Sequence, residues 1–180
     1  GIRTSAQQPQ FLSGYELGVS FRSVRSRRVE NQFGTVTLDL TRPDLLLVPT
    51  AMSMAAAPEP LVPPLLDKFQ CYRVQRSLGT PQFVPIRNVE VAGALETAVV
   101  DLLEPRRLCA PASLDGDDAA APGRPGHLLC YRTRSAAGFG DAQIFTHDRF
   151  GTDDVTLIHR RELCVPSLVD PAPSTTTTIP

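Results

Sequence analysis

The chain has no tryptophan and only one lysine, Lys68. Lacking tryptophan, it lacks the residue that most often builds the stacking platform of a carbohydrate-binding module. With one lysine, isopeptide cross-links of the kind that staple some surface proteins could form at one place only. The formal net charge is -1, so there is no global basic field to attract nucleic acid. No stretch approaches the roughly 20 apolar residues of a membrane-spanning helix, and no membrane insertion is expected. No Cys-x-x-Cys pair occurs, which removes the usual ligand spacing of a zinc site and the attachment motif of a c-type haem. There is no nucleophile elbow, no phosphate-binding glycine loop and no Asn-x-Ser/Thr acceptor. No uninterrupted amphipathic run reaches the length of a stable helix.

What the chain does have is one stretch written three times. Phe33–Pro49, Leu95–Pro111 and Phe150–Pro166 align without a gap. In that alignment Phe33, Leu95 and Phe150 share a column, and Leu46, Leu108 and Leu163 share another. Leu38, Val100 and Val155 stand two residues before Leu40, Leu102 and Leu157, the spacing of a strand that buries one face. These twelve residues are the expected core. Each copy is preceded by a short strand-like opening that contains a tyrosine: Tyr15, Tyr72 or Tyr131. Because the tyrosines share a column, they read as residues of the fold.

Short β-rich runs between clusters of Gly, Pro, Asn and Asp point to an all-β protein. A period of about 60 residues favours three small units in a row. The expected organisation is three tandem antiparallel β-sandwich or barrel-like repeats, 13–50, 66–112 and 126–167, joined by Pro/Ala/Gly-rich linkers. An N-terminal segment, 1–12, precedes them and a Thr-rich tail, 168–180, follows. Thr50–Leu65, rich in alanine and proline, reads as a linker that cannot continue a sheet. The opening Gly1, with no start methionine and no signal-peptide pattern, suits a processed or trimmed chain.

The four cysteines, Cys71, Cys109, Cys130 and Cys164, fall into the same alignment. Cys71 and Cys130 lie in the opening strands, Cys109 and Cys164 in the closing ones. The equivalent positions of the first segment are Gly14 and Leu47, so that segment lacks both cysteines together. Loss as a pair is what a bond within each segment produces, giving Cys71 with Cys109 and Cys130 with Cys164. Each bridge would close a loop of roughly 35 to 40 residues, worth about 3 to 4 kcal/mol in the chain-entropy treatment. Structural cystines place the expected location outside the cytoplasm, in the extracellular space or on the cell surface.

Phe69, Cys71 and Tyr72, the Phe150-Gly151 turn, and the closures Leu108-Cys109-x-Pro111 and Leu163-Cys164-x-Pro166 resemble an uncharacterised family of bacterial secreted β-repeats, often followed by Thr-rich tails. The resemblance spans most of residues 11–166. The first segment keeps Tyr15, Phe33, Gly34 and Pro49 but not the cysteines, and the second lacks the Phe-Gly turn. The resemblance implies a β-fold and a surface location, and it brings no catalytic residues.

Candidate chemistry is sparse. His127, His147 and His159 lack metal-ligand spacing, and His147-Asp148 reads as a loop hydrogen bond rather than part of a triad. Asp115-Gly-Asp-Asp118 lacks the spacing and closing glutamate of a calcium loop and reads as a solvated linker. Arg22, Arg25, Arg27 and Arg28 read as the solvated face of a strand or hairpin. No enzyme activity, cofactor or metal is expected. The terminal segments are the candidates for assembly: Ile2 and Phe11 at one end, and Thr175, Thr176, Thr177, Thr178 and Ile179 at the other. A run of β-branched residues suits a strand that adds to an exposed sheet edge. The expected function is a subunit of an extracellular filament made of copies of itself, joined head to tail by such strands. The alternative is an adhesin or binding module on a Thr-rich stalk, with a surface glycan or protein as ligand.

Overall fold

The computed structural model describes residues 10–135 and 142–172. They form an all-β protein of ten strands, and its one helical piece among the described residues is a 3-10 turn, Ala121–Gly123. The strands are β1 Gln10–Glu16, β2 Val24–Asn31, β3 Gly34–Ser53, β4 Phe69–Arg76, β5 Ile86–Ala92, β6 Thr97–Pro111, β7 His127–Ser135, β8 Ala142–Asp148, β9 Gly151–Leu157 and β10 Glu162–Val169. All pairings are antiparallel, and all ten strands belong to one sheet.

Local turns set the first level of pairing. β2–β3 and β8–β9 are hairpins closed by Asn31↔Gly34 and Asp148↔Gly151. Gly34 and Gly151 adopt φ of +114° and +137°, a conformation costly to a side-chain-bearing residue. β5–β6 forms the corresponding hairpin of the second segment. The hairpins of the first two segments share a bulge, at Ser26 and at Asn88, both with φ of 57°. In each the bulged N–H donates to the aspartate on the facing strand, Asp39 or Asp101.

The opening strand of each segment then pairs with its own closing strand. The aligned positions face each other three times over: Gly14↔Leu47, Cys71↔Cys109 and Cys130↔Cys164. The disulfides are Cys71–Cys109 and Cys130–Cys164. Where the first segment has no bridge, a Cβ on Gly14 would stand 3.3 Å from a Leu45 methyl and 3.4 Å from one of Leu47. Side-chain packing occupies the place of the sulfurs.

Separate small units do not form. β3 of the first segment pairs with β4 of the second, and β6 of the second with β7 of the third. Six strands follow one another as β2-β10-β7-β6-β4-β3, and β2 also pairs with β3, so this path closes on itself. The main core lies within that ring and draws on all three segments: Val29 and Leu38, then Val100, Leu102 and Leu108, then Leu129, Tyr131 and Val165. A unit of some 40 residues buries too little apolar surface to stand alone. Interlocking the segments gives the opening strands β4 and β7 a second paired edge and joins residues of all three segments in the main core.

Two sequence expectations need correction. Thr50–Ser53 is not linker, since β3 continues through it and pairs with β8 at Ala51↔His147, Met52↔Thr146 and Ser53↔Phe145. Thr50 is fully buried; its hydroxyl donates to Val48 O at 2.9 Å and accepts from Ser13 N at 3.0 Å. Pro43 and Pro105, which cannot donate to a ladder, sit at register shifts of β3 and β6. Among the expected core residues, Leu38, Leu46, Val100, Leu102 and Leu108 are buried, and Phe33, Leu40 and Leu163 pack half-buried against them. Leu95 and Leu157 are half-buried. Phe150 and Val155 are not core, being 55% and 37% exposed. The cause is the placement of the β8–β9 hairpin, which touches the ring through the end of β3 alone and leaves one face and the outer edge of β9 outside it.

Candidate docking sites

Among the described residues no three His, Cys, Asp or Glu side chains cluster as metal ligands would. His147 and Asp148 turn to different tasks. A His147 ring nitrogen lies 2.9 Å from Pro58 O, and the Asp148 carboxylate accepts from Tyr15 and from Phe150 N. The aspartates of 115–118 lie toward solvent, Asp115 with its side chain 88% exposed, and the other two are closely ion-paired. Asp117 pairs with Lys68 at 2.8 Å and Arg149 at 2.9 Å, and Asp118 with Arg124 at 2.8 Å. These bonds hold the 112–126 segment against β4 and the β8–β9 turn. The basic run lies along β2, exposed, with Arg27 on Asp170 and Arg28 on Glu30.

One polar cluster is buried. Asp44, in β3, accepts from Arg73 at 2.6 Å and from Arg107 at 3.0 Å, and Arg107 also reaches Glu162. The cluster ties one segment to the next at the level of the prolines.

The tyrosine column proves to be a set of docking positions. Tyr131, 1% exposed, packs edge-on against Phe33 with centroids 5.7 Å apart and at a tilt of 41° against Phe83 at 5.1 Å. Its hydroxyl meets the Asn31 side chain, whose amide also donates to Ser167 Oγ at 3.0 Å. Asn31 in turn accepts from Phe33 N at 2.9 Å, fixing the turn. The opening tyrosine of the third segment thus holds the Asn-x-Phe-Gly turn of the first. The converse contact exists as well. Tyr15 donates to Asp148 at 2.7 Å and packs edge-on against Phe150 at 4.9 Å, and Asp148 accepts from Phe150 N at 2.8 Å. Strand ends follow the same exchange, with Ala51↔His147 matched by Leu168↔Glu30.

Tyr72 differs. Its ring lies 4.9 Å from Phe21, as Tyr131 lies beside Phe83, but no Phe-Gly turn reaches it, and its hydroxyl bonds to Gln70 at 3.0 Å. The turn of the second segment, closed by Gly93 N to Glu96 O at 2.8 Å, has no aromatic residue. Beside Tyr72 opens a cavity of about 380 Å³ lined by Phe21, Val24, Leu40, Leu108 and Val169, with Arg27 at its rim. Among the described residues, therefore, three tyrosine positions face two Phe-Gly turns. No family model, no curated protein and no solved structure matches the chain.

The second feature of interest is an edge. Among the described residues β1 pairs with β3 alone, and no other described strand lies beside its second edge. A cavity of about 440 Å³ lies over the face that β1 shares with β3, β8 and β9, lined by Phe11, Tyr15, Met52, Ile144, Val155 and Leu157. Phe11, an expected assembly residue, lies here in β1. Ile2, Thr175, Thr176, Thr177, Thr178 and Ile179 lie outside the described residues. Sequence reasoning places the tyrosines in the fold but misses that they grip turns of other segments. The shared Asx-x-Phe-Gly text at 31–34 and 148–151 is the signal that could have found it.

Burial, the Asp148 hydrogen bond and the charges of Asp148 and Asp153 push the Tyr15 phenol up to about 12. Burial also raises Tyr72 and Tyr131. At the acidic end, the Lys68 hydrogen bond, the Leu114 N–H and the nearby cations hold Asp117 down at about 2. A phenol raised in the fold contributes stability that is complete below its ordinary value of 10.0 and is lost as pH climbs toward about 12. A carboxyl lowered in the fold contributes above 3.8 and loses that contribution as pH falls toward about 2. The thermal midpoint should therefore be flat at neutral pH and fall on both flanks. Tyr15→Phe should flatten the alkaline flank and Lys68→Met the acidic one. Flanks unchanged in both variants would refute these assignments.

Proposed function

We propose that this chain is a non-enzymatic structural protein of the cell exterior, descended from three tandem repeats, that assembles copies of itself head to tail by adding a terminal strand of one copy to its neighbour. The observation that carries the reading is the outer edge of β1, unpaired among the described residues. A seven-residue strand with one free edge, set beside an apolar cavity, is a template for another strand. Of the termini that flank the described residues, 173–180 contains five consecutive β-branched residues, Thr175 to Ile179, and 1–9 contains Ile2 and Thr4. A head-to-tail contact of this type extends as a fibre when its rotation does not close into a ring. Two disulfides accord with an oxidising, extracellular location.

Sedimentation and negative-stain imaging of the full chain, beside chains lacking residues 1–9 or 173–180, test the proposal. Long particles that disappear with one truncation identify the donor terminus. Particles that persist in both truncations would refute strand addition. Monomers in every sample would refute assembly altogether and favour the adhesin reading, in which ligand affinity survives loss of the tail.

A further inference from the structure

We propose that the cavity beside Tyr72 is a receptor for the Asp148-Arg149-Phe150-Gly151 turn of a second copy of this chain. The proposal rests on the reading that copies self-associate, but not on the terminal strands.

The two filled positions show what such a site accepts. At Tyr131 the ring of Phe33 packs on the tyrosine within one core cluster that also holds Phe83, Ile86, Leu102 and Leu163, and Phe83 meets the same tyrosine. The aligned residues around Tyr72 are Phe21, Val24, Leu40 and Leu108, and all four line the cavity. The same apolar wall is therefore built twice, and in one case a phenylalanine from a turn fills it. In the other the wall is open, with a volume of about 380 Å³, ample for a phenyl ring.

Among the described residues no turn of the same chain is left to fill it. The Phe33 turn is engaged at Tyr131, its ring half-buried against the core, and the second segment carries Leu95 in place of phenylalanine. The Phe150 turn does project, with its ring 55% exposed while Asp148 stays bonded to Tyr15. It can present the outer face of the ring without leaving its own clasp. Charge favours the same encounter. The β8–β9 hairpin carries Asp148, Asp153 and Asp154 around its tip, while β2, which borders the cavity through Val24 and Arg27, carries Arg25, Arg27 and Arg28, with Arg22 just before it. Donor and acceptor are different surfaces, so the contact is heterologous and each copy both gives and receives.

Two variants of the full chain test this, each checked for an unchanged circular dichroism spectrum. Phe150→Ala removes the donor ring. Ala110→Leu fills the acceptor, since Ala110 lines the cavity on β6. Each alone should weaken self-association in sedimentation velocity by about tenfold or more, the scale of losing one buried aromatic anchor. An equimolar mixture should recover association beyond that of either variant alone, through contacts between unlike copies, because Ala110→Leu keeps a good donor and Phe150→Ala a good acceptor. Wild-type assembly matched by both variants, or variants that fail to complement, would overturn the turn-in-site contact and leave self-assembly standing. A wild-type chain that stays monomeric throughout would overturn both.

Discussion

Replacing Cys71 and Cys109 together by alanine should lower the unfolding free energy by about 4 kcal/mol, the chain-entropy contribution of a loop of this length, the two cysteines being 38 apart in sequence. Both are 0% exposed and belong to a core cluster with Leu47, Phe69 and Cys130. Removing the sulfurs therefore opens space as well as freeing the chain. Cys130–Cys164, with a separation of 34, closes a loop of similar length. There Cys130 is buried but Cys164 is exposed, so the packing loss is smaller and the bridge is open to attack by a thiol. Mild dithiothreitol should reduce Cys130–Cys164 first, as mass spectrometry of alkylated peptides would record. Urea unfolding should then give a larger loss for Cys71→Ala/Cys109→Ala than for Cys130→Ala/Cys164→Ala. Equal losses, or earlier reduction of the buried bridge, would contradict this account.

The pairing of these cysteines is legible in the order of the amino acids alone. Their distribution follows the threefold alignment, and the alignment reports which positions face each other across a pair of strands. Gly14 and Leu47 belong to that pattern without any sulfur, and they too are cross-strand partners. Alternation in the closing strands likewise reports which face is buried, and Leu38, Val100, Leu102 and Leu108 are core. What alternation does not report is the neighbour. A strand has two edges with identical hydrogen-bonding groups, and the residues of β4 fit equally well beside β6 alone or between β6 and β3. That choice depends on the total area buried when segments interlock, a property of the whole chain. The same gap explains Phe150. Its column predicts burial because Phe33 and Leu95 share it, yet the hairpin that carries it pairs with β3 outside the ring. Thr50–Ser53 departs from expectation for a related reason. Alanine and proline nearby suggest a linker, while the partner that makes those residues a strand, β8, is almost a hundred residues away in the chain (~95).

Tyr131→Ala should cost about 3 to 5 kcal/mol, the range for deleting a buried large aromatic side chain. Tyr131 sits 1% exposed between Phe33 and Phe83, where rigid strands on every side limit collapse of the resulting cavity. Tyr131→Phe should cost about 1 kcal/mol, because it removes the hydroxyl while Asn31 keeps Ser167 as a partner. A cycle of Tyr131→Ala with Phe33→Ala should show a coupling of about 1 kcal/mol, the edge-on ring contact itself. The three tyrosines, equivalent in sequence, should not be equivalent in energy. Tyr15→Ala loses a half-buried ring and the Asp148 bond, and should rank second. Tyr72→Ala borders a cavity that is already open, so little further packing is lost and its cost in the monomer should be the smallest. Urea unfolding of the three alanine variants measures the order directly. If Tyr72→Ala proved as damaging as Tyr131→Ala, the site beside Tyr72 would have to be filled within the single chain, and a second copy would have nothing to enter.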